Sequence, residues 1–177
     1  MFDVSFKRVQ IAVIGSSGVI DSKLFSLAYE VGQEIAKRGA VLICGGRDGI
    51  MEAVSKGVKD GGGISVGIVP SYTGEDANPY LVITIATGIS LARNVLVVAS
   101  SDAVIVIGGR AGTLSELAIA SLLNKPIIAL IKGGGVAKIA EKIAEEGIIN
   151  RIYKAETSKE AVEKAINMVT KKGKGEE

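Results

Sequence analysis

The 177-residue sequence contains no His and no Trp, one Cys and three Pro. Each shortage removes chemistry. Without His there is no Ser-His triad, no imidazole general base and no His-ligated metal. Cys44 has no partner for a disulfide, and a single thiolate builds no metal cage, so no metal site is expected. Aromatics are 4% of the residues, too few rings for a protein that grips nucleic-acid strands by stacking. The formal net charge of +2 is too small to call for a polyanionic partner and leaves room for one small phosphorylated ligand. No apolar run is long enough to span a bilayer. Met1–Gln10 carries Asp3, Lys7 and Arg8 where a secretory signal would be apolar. A cytoplasmic protein is therefore expected, with no membrane or nucleic-acid partner and no required cofactor. Any catalysis must rest on carboxylates, Arg, Lys, Tyr or hydroxyls.

The sequence does hold 47% apolar residues and 23 Gly, in a regular arrangement. Short β-branched runs alternate with longer segments of helical period, the pattern of repeated βα units around a parallel sheet. Strands are expected at Val9–Ile14, Ala40–Cys44, Ile64–Val69, Leu81–Ile85, Ala103–Ile107, Pro126–Leu130 and Arg151–Lys154. Helices are expected at Ser22–Arg38 (capped by Asp21), Gly49–Lys59, Ile89–Ala99, Thr113–Leu123, Val136–Glu145 and Ser158–Val169. The economical fold is one α/β domain over residues 1–170: a Rossmann-like, doubly wound parallel sheet of six or seven strands with helices on both faces. Lys171–Glu177 reads as a solvated tail.

In such sheets ligands bind beyond the carboxyl ends of the strands, where loops lead into helix N-termini. The glycines cluster there. Gly15-Ser16-Ser17-Gly18 follows the first strand, Gly45-Gly46-Arg47-Asp48-Gly49 the second, and Gly108-Gly109-Arg110-Ala111-Gly112-Thr113 the run Ala103–Ile107. Any one of these is explained by a tight βα turn. Three at equivalent ends, two with an Arg, point to a phosphate held by backbone N–H groups and helix dipoles. The candidate phosphate-binding residues are thus Gly15, Ser16, Gly45, Gly46, Arg47, Gly108, Gly109, Arg110, Gly112 and Thr113. No G-x-G-x-x-G follows the first strand and no P-loop motif occurs, which argues against a dinucleotide dehydrogenase or a P-loop NTPase.

Thr113-Leu114-Ser115-Glu116 has two readings. It is a capping box, like Thr157-Ser158-Lys159-Glu160 further on, or Glu116 faces the cleft as an acid, base or hydroxyl-binding carboxylate. Arg93, amid Ile89-Ser90-Leu91-Ala92 and Asn94-Val95-Leu96-Val97-Val98, either pairs with a buried carboxylate or points into the cleft. Glu52 caps or decorates its helix. Ser71–Pro79 is a lid over the ligand or an ordinary surface connection. The apolar Ile89–Ala99 and the low charge of Thr113–Leu123 predict a homo-oligomer, a dimer or tetramer, that buries these helix faces.

From Ile11 to Leu130 these motifs resemble the LOG (Lonely Guy) family, which long carried a lysine decarboxylase label. Gly15-Ser16-Ser17-Gly18, Gly45-Gly46-Arg47-Asp48-Gly49-Ile50-Met51-Glu52 and Gly62-Gly63-Ile64-Ser65-Val66-Gly67-Ile68-Val69-Pro70 are similar to its conserved segments. Its hallmark Pro-Gly-Gly-x-Gly-Thr-x-x-Glu is similar to Gly108–Glu116. The resemblance implies Arg93 and Glu116 as a catalytic pair that cleaves the N-glycosidic bond of a nucleoside 5′-monophosphate, with Gly109, Gly112 and Thr113 around the phosphate. The sequence departs from that pattern at Gly108 for Pro, Arg110 for Gly and Arg93-Asn94 for Arg-Lys, and its Gly46-Arg47-Asp48-Gly49-Ile50-Met51-Glu52-Ala53-Val54 and Ala92-Arg93-Asn94 segments look closer to a sister branch. That branch contains the molybdenum cofactor carriers, which bind a phosphate-bearing pterin without cleaving it. The ligand implied is an AMP-like nucleotide or molybdopterin. The decarboxylase label fits least, because these loops contain no Lys for pyridoxal phosphate.

Overall fold

The computed structural model describes residues 8–172. Seven strands form one sheet: β1 (Gln10–Gly15), β2 (Val41–Cys44), β3 (Ile64–Val69), β4 (Ile83–Ala86), β5 (Ala103–Ile107), β6 (Ile127–Leu130) and β7 (Ile152–Ala155). All neighbours are parallel, in the order β4-β3-β2-β1-β5-β6-β7. The winding reverses between β1 and β5, where Ile14 pairs with Val106 and Gly15 with Ile107. This is the Rossmann-like architecture, and its switch point marks where a ligand crevice opens.

The strands are apolar on both faces because helices cover both. Ile11 and Val13 of β1 face α1 (Ser22–Lys37), α2 (Ile50–Asp60) and α6 (Ser158–Lys172), with Val31, Val54 and Val162 in that core. Ala12 and Ile14 face α3 (Arg93–Ala99), α4 (Ala111–Leu122) and α5 (Gly135–Glu145), with Val97, Leu117 and Ala140 in the second core. Asp21 caps α1 as expected, its carboxylate accepting the Leu24 N–H at 2.8 Å. No helix among the described residues is long and apolar enough to cross a membrane.

Four elements depart from the sequence-based expectation by more than one residue. The expected helix Ile89–Ala99 is a single 3-10 turn, Ser90–Ala92, followed by α3, because Ser90 takes a left-handed φ of 53° that no helix propagates. β4 begins at Ile83, not Leu81, since the Val82 N–H donates to the Ser65 hydroxyl at 3.1 Å. α4 starts at Ala111, two residues before Thr113, as explained below. Lys171 and Lys172 extend α6; the rest of the expected tail, like the first seven residues, lies outside the described residues.

Candidate functional site

The loops after β1, β2 and β5 meet at the switch point, and Ser16 joins them. Its hydroxyl accepts the Gly109 N–H at 3.0 Å, and its carbonyl accepts the Ile50 N–H at the start of α2 at 2.9 Å. Between these loops lies a cleft of about 120 Å³. The first loop contributes Gly15, Ser16 and Ser17, the second Gly45 and Arg47, and the start of α4 Arg110, Gly112, Thr113 and Glu116. Arg93 and Asn94, the first residues of α3, close it from the side.

Gly46, Gly108 and Gly109 stand behind the wall of this cleft. The Gly109 N–H is taken by Ser16, and the Gly108 and Gly109 carbonyls accept the Ala137 and Val136 N–H groups at 2.9 and 3.2 Å. Their positive φ angles, 63° and 109°, turn the chain sharply enough for α4 to start at once. Arg110, extended at φ −127°, takes the N-cap position without a side-chain cap bond. Thr113 is therefore the third residue of the helix and no capping box forms there. At Thr157 one does: its hydroxyl accepts the Glu160 N–H while Glu160 accepts the Glu156 N–H, one residue earlier than the usual box. With Glu116 released from capping, the first-turn amides of α4 lie at the edge of the cleft with no side chain satisfying them. That is the geometry of a helix N-terminal anion site.

Arg93 and Glu116 form a buried pair, each 7% exposed, with Nη1 3.4 Å from Oε1. Both readings of Arg93 thus hold together: it pairs with a carboxylate and it lines the cleft. The guanidinium lies over the bare Cα of Gly45, where a Cβ would sit 2.4–2.7 Å from Nη1, Nη2 and Cζ. Among the described residues, Arg93 Nε is the buried side-chain polar atom without a hydrogen-bond partner. Burial lowers the pKa of Arg93, opposed by Glu116. Burial pushes Glu116 up to about 7, with Arg93 pulling the other way. Asn94 holds the pair in place: its Nδ2 donates to the Ser115 hydroxyl at 2.9 Å, which donates to the Gly112 carbonyl at 2.7 Å and so ties α3 to the first turn of α4.

The Ser71–Pro79 segment reaches the cleft and is anchored there. Asn78, buried, donates its backbone N–H to the Gly46 carbonyl at 2.8 Å, and its Nδ2 reaches the carbonyls of Gly46 and Arg47 at 3.1 and 3.0 Å. Asp76 stands 3.8 Å from Arg47 Nε. Asn78, Asp76 and Asn94 were missed by sequence reasoning. Nothing local singles out the first two, and Asn94 shows there only as a departure from Arg-Lys. Glu52 sits in the first turn of α2, where it suits the helix dipole, and does not line the cleft. A larger recess, about 660 Å³, lies at the opposite end of the sheet between Pro126, Tyr153 and Met168. None of its titratable groups is buried, and its Lys125 ammonium already donates to the Ala99 and Ser101 carbonyls. The chemistry is at the smaller cleft.

Fold and cleft together define a Rossmann-like α/β protein whose crevice at the switch point holds a buried Arg–Glu pair beside an uncapped helix N-terminus. The chain belongs to the SLOG cluster4 family, whose model matches residues 8–166. It is 42% identical over 165 residues to an uncharacterized protein of Archaeoglobus fulgidus, covering 93% of this chain and 99% of that one. It is 31% identical over 180 residues to a cytokinin riboside 5′-monophosphate phosphoribohydrolase of Arabidopsis thaliana, covering 90% of this chain and 81% of the relative. The structure of the molybdenum cofactor binding protein from Rippkaea orientalis superposes with a TM-score of 0.81 at 34% identity, covering 94% and 98% of the two chains. The resemblance to the LOG proteins and to the molybdenum cofactor carriers thus holds at the level of family and fold.

Proposed function

We propose that the chain binds a small ligand through its phosphate ester, an AMP-like nucleotide or a molybdopterin, in the manner of a carrier acting in the cytoplasm. One observation carries this reading. The buried Nε of Arg93 lacks an acceptor, and Arg93 lines the same cleft as Gly112 and Thr113 of the uncapped first turn of α4, so a buried donor and a helix dipole both call for an anion. A phosphate oxygen supplies what both lack. The cleft, at about 120 Å³, is smaller than the few hundred Å³ that whole-ligand sites usually offer. It takes the phosphate and sugar-sized part, and the ring system lies out over Leu91 and the rim arginines Arg47 and Arg110. The molybdenum cofactor binding function of the Rippkaea orientalis neighbour agrees with this.

A second reading is favoured by Glu116 alone. A carboxyl titrating at about 7 in a buried site is poised to exchange a proton near neutral pH. In a nucleoside 5′-monophosphate phosphoribohydrolase, the activity of the Arabidopsis thaliana relative, Glu116 activates water or stabilises the oxocarbenium-like ribosyl carbon while Arg93 orients the ribose phosphate. Water then bonds to the anomeric carbon, the C–N bond breaks, and the base leaves with a proton. Incubation with AMP and other nucleoside monophosphates separates the two. Release of free base that is lost in Glu116→Ala establishes the hydrolase, and saturable binding without release establishes the carrier. No binding of AMP, of other nucleoside monophosphates or of inorganic phosphate overturns both.

The same proposal includes a homo-oligomer, a dimer or tetramer. Leu91, Val95, Leu96, Leu114 and Leu122 are 41–81% exposed along α3, α4 and the turn before α3, an apolar face that a second copy would cover. Light scattering is expected to give at least twice the chain mass; the mass of one chain overturns this part.

A further inference from the structure

We propose that Asp76 is a tethered competitor for the ligand's phosphate, sitting on Arg47 and setting how tightly, and with what preference for charge, the cleft binds. The inference rests on the phosphate-site reading above. Arg47 lines the cleft, yet its Nε is 3.8 Å from Asp76 Oδ2. The carboxylate does not depend on Arg47 for its place. Its other oxygen accepts from the Ser71 hydroxyl, which in turn accepts the Gly74 N–H at 3.1 Å. Ser71 is itself held through its carbonyl, which accepts the Gly88 N–H at 2.9 Å.

Arg47 is fixed in a complementary way. Asn78 pins its carbonyl at 3.0 Å, which holds the backbone turn, while the side chain beyond it is exposed and held by the Asp76 pair. The pair is open to water, its side chains 45% and 26% exposed. Exposed pairs of this kind are weak enough to exchange. A phosphate monoester carries nearly two charges against one on the carboxylate, so it wins Arg47 but must first displace Asp76. Asp76 then remains bonded to Ser71 at the cleft mouth, repelling the anion it has yielded to. Arg93 feels both partners: Arg47 lowers its pKa and Asp76 raises it, which places the exchange within electrostatic reach of the buried pair. The consequence is a phosphate grip that is loosened by design of the rim, suited to a ligand that is handed on or released.

The test is equilibrium binding of AMP and of adenosine to the full chain and to three variants. Asp76→Asn is expected to tighten AMP about fivefold, the size of one surface ion pair plus the relieved repulsion, and to leave adenosine unchanged. Arg47→Ala is expected to weaken AMP. The double variant R47A/D76N is expected to bind AMP no more than about twofold more tightly than Arg47→Ala, since the competition acts through Arg47 and only the direct repulsion remains to be relieved. A purely structural Asp76, serving only to shape the loop, predicts instead that Asp76→Asn weakens AMP or acts equally on adenosine, and either result overturns the proposal. If the unmodified chain binds no AMP and no inorganic phosphate, the phosphate-site reading falls and takes this one with it. If it binds AMP and Asp76→Asn leaves the affinity unmoved, only the competitor falls.

Discussion

Gly45→Ala is expected to weaken AMP binding about 100-fold while costing the fold only about 1 kcal/mol. Gly45 is buried at the end of β2, and its φ is not in the left-handed region, so an alanine is conformationally acceptable there. The three atoms nearest the new methyl all belong to Arg93: Nη1 at 2.4 Å, Nη2 at 2.6 Å and Cζ at 2.7 Å. A buried guanidinium has little room to retreat. It must leave Glu116, 3.4 Å away, and enter the cleft of about 120 Å³ that the proposed phosphate would fill. The substitution therefore falls first on the site, through the Arg93 guanidinium. Calorimetric titration with AMP and a thermal melt check the two halves. Unchanged affinity with a large loss of stability would mean that Gly45 matters for packing and the Arg93 guanidinium does not face the ligand.

The legibility of this site in the sequence follows from which interactions are local. β3 and β5 begin and end where expected because each is a β-branched run stopped by a turn residue, Pro70 or Gly108. The Arg93–Glu116 pair was reachable through its surroundings: an Arg in an apolar helix and a Glu one helical turn past a glycine cluster. What the sequence hides is pairing across loops. Asn78 meets Gly46 and Arg47 from 32 and 31 residues away, and no periodicity encodes such a bond. The start of α4 shows the opposite failure. Thr-x-x-Glu is a valid local pattern, but the Gly108-Gly109 turn and the extended Arg110 begin the helix earlier and override it. That override is what sends Glu116 into the cleft instead of back to its own helix end. The left-handed Ser90 is a second case, since a non-glycine residue at positive φ carries no local signature.

Glu116 is expected to cost the unliganded chain about 3 kcal/mol of stability as pH rises from 4.5 to 8, a loss that Glu116→Gln does not show. In the unfolded chain Glu116 titrates near its ordinary 4.5; folded, it titrates at about 7 because burial disfavours the carboxylate more than Arg93 favours it. Between those values the folded state holds a proton that the unfolded state has lost, so stability declines with pH across the window. The contribution is complete below 4.5 and gone above about 7. The glutamine has no such window, so the difference in unfolding free energy between the two proteins shifts toward the variant as pH rises. Denaturant melts at pH 5, 6, 7 and 8 measure it, and parallel curves for the two proteins would show that folding does not shift the titration of Glu116. The ligand must act on the same proton. A phosphate dianion bound beside Glu116 raises its pKa further, so AMP binding near pH 7 takes up a proton, and the heat of binding varies with the ionisation enthalpy of the buffer. In Glu116→Gln the carboxyl's share of that uptake is lost even if AMP still binds, leaving only the exchange from the ester's own second ionisation at about 6. Proton uptake in the unmodified chain, and the loss of the carboxyl's share in the variant, places the anion against this carboxyl whether or not the glycosidic bond is then broken.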